Sequence, residues 1–322
     1  MLNRHKLRIR VLQLLYAMES SEIQDSAYFH RQLKASLERV YDLYLLLLAL
    51  LADIHQESLL EREEVKNKFF PDRFDLMPET AFTRNIFLNK IRDSKTLQHI
   101  LQKRGISWSR HPEAPLRLFR AIRETEGYKA YLEADQNSGK RDRAFLLQIL
   151  DAVVIPDPVF NEWLDEQYLF WSEDKEIAFG MLARTLENTP VRGELYLVQE
   201  IGEGDEDFDF ALRLGRITLE KKDIFNQYII RSLRNWEPDR VAPLDMLLLR
   251  MGAAELHAFS EIPIKVTINE ILEISKEYST PKSSQFLNGV LDSLARNMQK
   301  DGMLSKSGRG LTDVSEKKMR TF

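Results

Sequence analysis

Cysteine is absent from the 322 residues. That excludes disulfides, thiolate nucleophiles, cysteine zinc sites and iron–sulfur clusters, and it fits a reducing compartment. Glycine and proline are scarce, at 13 and 11 residues, where roughly 12% of a chain is usual. Long helices are therefore expected rather than a loop-rich β fold. The longest unbroken apolar run, Leu43 to Ala52 (LYLLLLALLA), has ten residues, whereas a membrane span needs roughly 20. It reads as a buried helix. At the N-terminus a basic start leads into VLQLLYAM, but Gln13 interrupts the run and no A-x-A cleavage pattern follows, so a signal peptide is not expected. With no lipidation motif either, the expectation is a cytoplasmic protein without a membrane partner. Lys plus Arg (46) nearly balance Asp plus Glu (50), leaving a net charge of −4, which decides nothing about nucleic acid.

Motifs for catalysis are missing too. His5, His30, His55, His99, His111 and His257 show no H-E-x-x-H or other ligand spacing, and no G-x-x-x-x-G-K-[ST] or G-x-G-x-x-G loop occurs. There is no G-x-S-x-G elbow. No catalytic residue, cofactor or metal ligand is assigned, and the chain is not expected to be an enzyme. Asp205, Asp207 and Asp209 imitate the opening of an EF-hand, but Phe210 and Arg216 stand where that loop needs glycine and glutamate. A helix N-terminus favoured by acids is the better reading.

What is present is helical periodicity almost throughout, so the chain is expected to be all-α. Residues 4–18 form one helix and residues 26–54 a second that ends in the leucine run. Between about 70 and 205 lie FTRNIFLNKIRDSKTLQHILQKR, APLRLFRAIRETEGYKAYL, RDRAFLLQILDAV, PVFNEWLDEQYLF and KEIAFGMLARTLE. Gln136 to Gly139 and Ile155-Pro156-Asp157-Pro158 break the pattern. Residues 200–209 (EIGEGDEDFD) carry six acids and no base, marking a solvated loop or boundary. Helices then follow over Phe210 to Asn235, with a break near Asp223, and over Asp245 to Phe259. Thr267 and Glu270 are expected to form a capping box, and Thr280-Pro281 to start the last helix. The tail from Asp301 to Phe322 is Gly, Ser and Lys rich and is expected to be disordered.

The first helix concentrates positive charge. Arg4, Lys6, Arg8 and Arg10 precede any acid, the first being Glu19. At 100° per residue Leu7, Val11, Leu14, Leu15 and Met18 share the face that docks on the protein. Lys6, Arg10 and Gln13 fall on the opposite side with Tyr16 near them, while Arg4 and Arg8 sit at the edge of the buried stripe. Basic groups beside an amide and an aromatic ring are the combination that single-stranded RNA recognition uses. The plainer alternative is a solvated helix face with a snorkelling tyrosine.

Four segments in order resemble the NusB family of transcription antitermination factors: R-x-K-x-R-x-R-x-L-Q-x-L-Y (Arg4 to Tyr16), DMLLLRMGAAEL (Asp245 to Leu256), IPIKVTINEILEISKEYS (Ile262 to Ser279) and SSQFLNGVLDSL (Ser283 to Leu294). The resemblance implies a NusB-like helical bundle domain with a large all-helical insertion. Residues 1–54 would be the first part of the domain, 55–205 the insertion, 206–300 the second part and 301–322 the tail. It further implies binding of box A-type single-stranded RNA, partnership with the ribosomal protein NusE, and work in an elongation complex with RNA polymerase on ribosomal RNA operons.

Position by position, the resemblance assigns RNA contact to Arg4, His5, Lys6, Arg8, Arg10, Gln13 and Tyr16 of the first helix, and to Phe286 and Asn288. Asp245 and Lys282 are assigned to partner binding. His5 replaces what is often a third consecutive basic residue, and Lys282 stands where acidic or neutral residues are common. Residue chemistry alone leaves Phe286 open between core and base-stacker, lets Glu255 pair with a neighbouring base, and gives Gly289 close helix packing as its reason. A helical scaffold that keeps NusE docking without RNA contact is the competing functional reading.

Overall fold

The computed structural model describes residues 3–65, 80–133, 138–168, 170–233, 238–280 and 282–307. Gln136, Asn137, Pro281 and residues 308–322, on which parts of the expected breaks, helix start and tail fall, lie outside the described residues. Among the described residues every regular element is helical. The chain opens with α1 (Arg4–Ser20) and α2 (Ser26–Val65). Two units follow from the contacts: one is Glu38–Glu200, the other the described residues of Leu2–Leu37 and Ile201–Phe322. The expected 54/55 boundary falls inside the continuous α2.

The Glu38–Glu200 unit holds the rest of α2 with α3 (Ile86–Asp93), α4 (Lys95–Arg104), α5 (Glu113–Glu124), α6 (Glu126–Glu133), α7 (Gly139–Ile149), a π-helical turn (Leu150–Val154), α8 (Pro158–Gln167) and α9 (Trp171–Asn188). Its axis is the leucine run: every residue from Leu43 to Leu51 is buried by the protein itself. The Trp108 indole donates to the Leu46 carbonyl at 3.0 Å, and Phe82 gathers Phe119, Tyr128 and Phe145 around its ring. Two stretches that periodicity reads as single helices are each divided. Ser94 caps α4 through Leu97 N–H at 3.2 Å, and Thr125 Oγ1 accepts from Tyr128 N–H at 3.1 Å. Short hydroxyl side chains compete with the helical ladder and stop it there. Asp157, in the expected break, caps α8 by accepting the Phe160 N–H.

The other unit contains α1, the start of α2, α10 (Glu206–Glu220), α11 (Lys222–Ser232), α12 (Pro243–Ala258), α13 (Ile264–Tyr278) and α14 (Ser283–Lys300). Helix α12 is its core, with Leu247 to Leu256 buried throughout against α1, α10, α11, α13 and α14. Close approach uses two glycines. A Cβ on Gly215 would lie 2.0 Å from the Phe29 ring, and one on Gly252 would lie 2.7 Å from Leu291.

Three expectations are corrected. Helix α13 begins at Ile264 after Pro263, so Thr267 and Glu270 are no capping box; both side chains are used by a buried polar network described below. Helix α14 begins at Ser283, with Lys282 before it. Residues 301–307 are not free of the domain: Lys306 Nζ donates to the Phe259 and Ile262 carbonyls at 2.9 and 2.8 Å, and Ser307 N–H to Ser260 O at 3.0 Å.

Candidate nucleic-acid interface

Helix α1 is started by Asn3, whose Oδ1 accepts the Lys6 N–H at 2.9 Å. It is buried over more than a stripe, because both α10 and α12 pack on it. Leu7 to Leu12 are all buried, a run that includes Arg10 at 5% exposure. The exposed face expected for Arg10 is therefore corrected, and Leu14, expected inside, is half-buried. A helix covered from two sides buries residues that lie outside its single apolar stripe.

Arg8 sits deepest. Its Nε donates to Glu255 Oε2 at 2.6 Å and its Nη2 to Glu255 Oε1 at 2.8 Å, while Nη1 reaches Glu270 Oε2 at 3.2 Å. Glu255 also accepts the Thr267 hydroxyl at 2.8 Å, and His5 Nδ1 lies 3.0 Å from Glu270 Oε2, with Nε2 3.7 Å from Glu277. This network locks α1 to α12 and α13. Arg4 pairs with Glu206 at the start of α10, and both guanidinium groups lie 5.1 Å from the Phe210 ring centre, a cation–π arrangement. Sequence reading singled out Glu255 and Thr267 only for local roles. Arg8, the partner of Glu255, is more than 200 residues away.

The outward part of α1 is smaller than expected. Tyr16 is 46% exposed; Arg4, His5, Lys6 and Gln13 are half-buried. Gln13 Nε2 donates to the Tyr278 hydroxyl at 3.4 Å, which brings the end of α13 beside α1. Tyr278 is an aromatic that sequence reading passed over, since nothing local marks it. Just beyond it the α13–α14 turn is pinned from below. Buried Asp245 accepts the hydroxyls of Ser279 at 2.7 Å and Ser283 at 2.8 Å. Asp245 thus holds a turn, and Lys282 on that turn is exposed. One step into α14, Phe286 is half-buried and Asn288 exposed. Gly289 is exposed and a Cβ there meets nothing within 4 Å, so close helix packing is not its reason.

The site presents cationic, amide and aromatic groups. At the end of α1 lies Glu19: burial alone would raise its pKa, but ion pairs with Arg250 and Lys222 outweigh that and hold it below the usual value. Among the described residues no group of three His, Asp or Glu side chains is placed to hold a metal ion.

A family model described as "NusB family" matches residues 172–296, from α9 into α14; α1 lies outside that span. The chain is 45% identical over 103 residues to the transcription antitermination protein NusB of Salinibacter ruber, covering 32% of this chain and 64% of that protein. It is 40% identical over 112 residues to the NusB protein of Chloroherpeton thalassium, covering 35% and 53%. Against that of Dictyoglomus thermophilum it is 36% identical over 124 residues, covering 37% and 84%. The chain therefore spans less than two thirds of the first two relatives. A solved structure of T. maritima NusB is 36% identical and covers 29% of this chain and 66% of that one, with a TM-score of 0.27.

Proposed function

Because the chain belongs to the NusB family, we propose that it is a non-enzymatic transcription antitermination factor that binds box A-type single-stranded RNA together with the ribosomal protein NusE. In this reading it joins the cytoplasmic elongation complex with RNA polymerase on ribosomal RNA operons. The observation that carries the reading is the seat of α1. The Arg8–Glu255 pair fixes the helix, leaving Tyr16 exposed, Lys6 half-buried and Gln13 half-buried beside Tyr278.

Each outward group has a task. Lys6, with Arg4 and His5, meets phosphates, which supply affinity without sequence information. Gln13 and Asn288 offer amide hydrogen bonds to base edges, and Tyr16 and Phe286 offer rings for stacking. Arg8 and Arg10, being buried, serve by holding the helix. NusE would dock where Asp245 shapes the turn that carries Lys282, and residues 55–205 would be an insertion into the RNA-binding domain.

One observation favours the scaffold reading, in which NusE docking is kept without RNA. Half of the basic groups of α1 are buried and Arg4 is paired with Glu206. A titration separates the two. Fluorescent box A RNA is added with and without NusE at several salt concentrations, to the natural protein and to Lys6→Glu with Tyr16→Ala. RNA binding here gives a steep salt slope that flattens by about one unit in the variant. An unchanged slope, or no binding even with NusE, rejects this surface.

A further inference from the structure

A cavity of about 270 Å³ opens between α2, α3 and α4 in the Glu38–Glu200 unit. Its apolar wall includes Ala49, Ile91 and Leu97; Asp53, Gln56 and Gln98 supply its polar side. Asp53 is half-buried, and among the described residues the charge that acts on it is another carboxylate, Glu57. Burial first, and Glu57 second, push the Asp53 carboxyl above its usual pKa. Arg92 also lines the cavity, but its guanidinium is turned to Asp93, with bonds of 2.7 and 3.0 Å.

Asp53, Gln56, Glu57 and Leu60 stand at i, i+3, i+4 and i+7 of α2 and so form one stripe. Leu60 is 44% exposed. The stripe therefore pairs two carboxylates, for which no cation partner is found among the described residues, with an apolar hole at one end and an exposed leucine at the other. A half-buried carboxylate without a counter-charge is costly to keep, and a cation supplied from outside would relieve it.

The same charges say what does not bind. Phosphate chains are repelled, which argues against RNA on this face. The cavity is also below the roughly 300–1,000 Å³ of pockets that enclose small organic ligands, yet it has room for a side chain. We propose that this face of the helical region 55–205 and its α2 root is a docking site for a segment of another protein, with a bulky apolar side chain in the cavity and a lysine or arginine on Asp53 and Glu57. Charge complementarity chooses the partner class and fixes its register. The inference does not rest on the RNA-binding reading.

The test uses the full chain carrying a photo-crosslinking benzophenone side chain at Gln56 or Leu60, in the cells that make it. The expected result is one discrete protein adduct whose crosslinked peptide holds a lysine or arginine close to a large apolar residue. Asp53→Lys and the cavity-filling Ala52→Phe should each lower its yield about tenfold, as loss of a central contact does, while Asp53→Glu retains it. Thermal unfolding of each variant separates lost docking from lost folding, and Glu57→Lys stands in should Asp53→Lys fail to fold. No discrete adduct, adducts to RNA alone, a second copy of this chain as the partner, or a yield indifferent to these charge reversals would overturn the proposal.

Discussion

The guanidinium of Arg8 and the carboxylate of Glu255 face each other through two parallel hydrogen bonds, 2.6 and 2.8 Å long, with the Glu255 side chain at 0% exposure. Removing one partner strands the other charge in the core. Arg8→Ala or Glu255→Gln should therefore destabilise the protein by on the order of 3–5 kcal/mol, whereas replacing both residues by methionine should recover most of that loss. Urea unfolding of the two single variants and the double variant measures this. Single variants within about 1 kcal/mol of the parent would contradict the seat described for α1.

Local rules and long-range ones separate cleanly in this chain. Helix existence was legible because the 3.6-residue period is a property of neighbouring residues, and the break at Ile155 to Pro158 was legible for the same reason. Arg10 was misplaced because two helices cover α1, and sequence spacing describes only one covered face. Thr267 looked like a cap by its distance from Glu270, yet its hydroxyl bonds to Glu255 on a neighbouring helix. The basic helix itself was legible as charge; what neutralises it, Glu206 and Glu255, was not, since both partners come from distant helices.

Arg4 is held by Glu206 at the solvent edge of α10, so under the proposed function an RNA phosphate would compete with this carboxylate for one cation. Glu206→Gln should tighten box A RNA binding severalfold at low salt and steepen the salt slope by up to about one unit, since one more phosphate can be neutralised. Parallel titrations of the variant and parent at matched ionic strengths provide the check. Identical slopes would mean that Arg4 takes no part in binding.

Gly289 stands in the interior of α14 with open space where a Cβ would be. Glycine costs roughly 1 kcal/mol against alanine in such a position. Gly289→Ala should raise the unfolding free energy by up to about that amount, and denaturant melts will show it. If this surface meets RNA closely, affinity should fall as stability rises. Loss of stability in the alanine variant would show that the site is not open.

Glu19 ties α1 to α12 and α11 through Arg250 and Lys222, with its carboxyl held below the ordinary value of 4.5. The folded protein keeps this group ionised at pH values where the unfolded chain takes up a proton. Its stabilisation is thus complete above the unfolded-state pKa and disappears as pH falls through the lower folded-state value. Urea midpoints of the parent and Glu19→Gln should differ most at neutral pH, and the difference should narrow steadily below pH 4.5. A gap that stays constant down to strongly acidic pH would show that Glu19 contributes through packing, with no share from its charge.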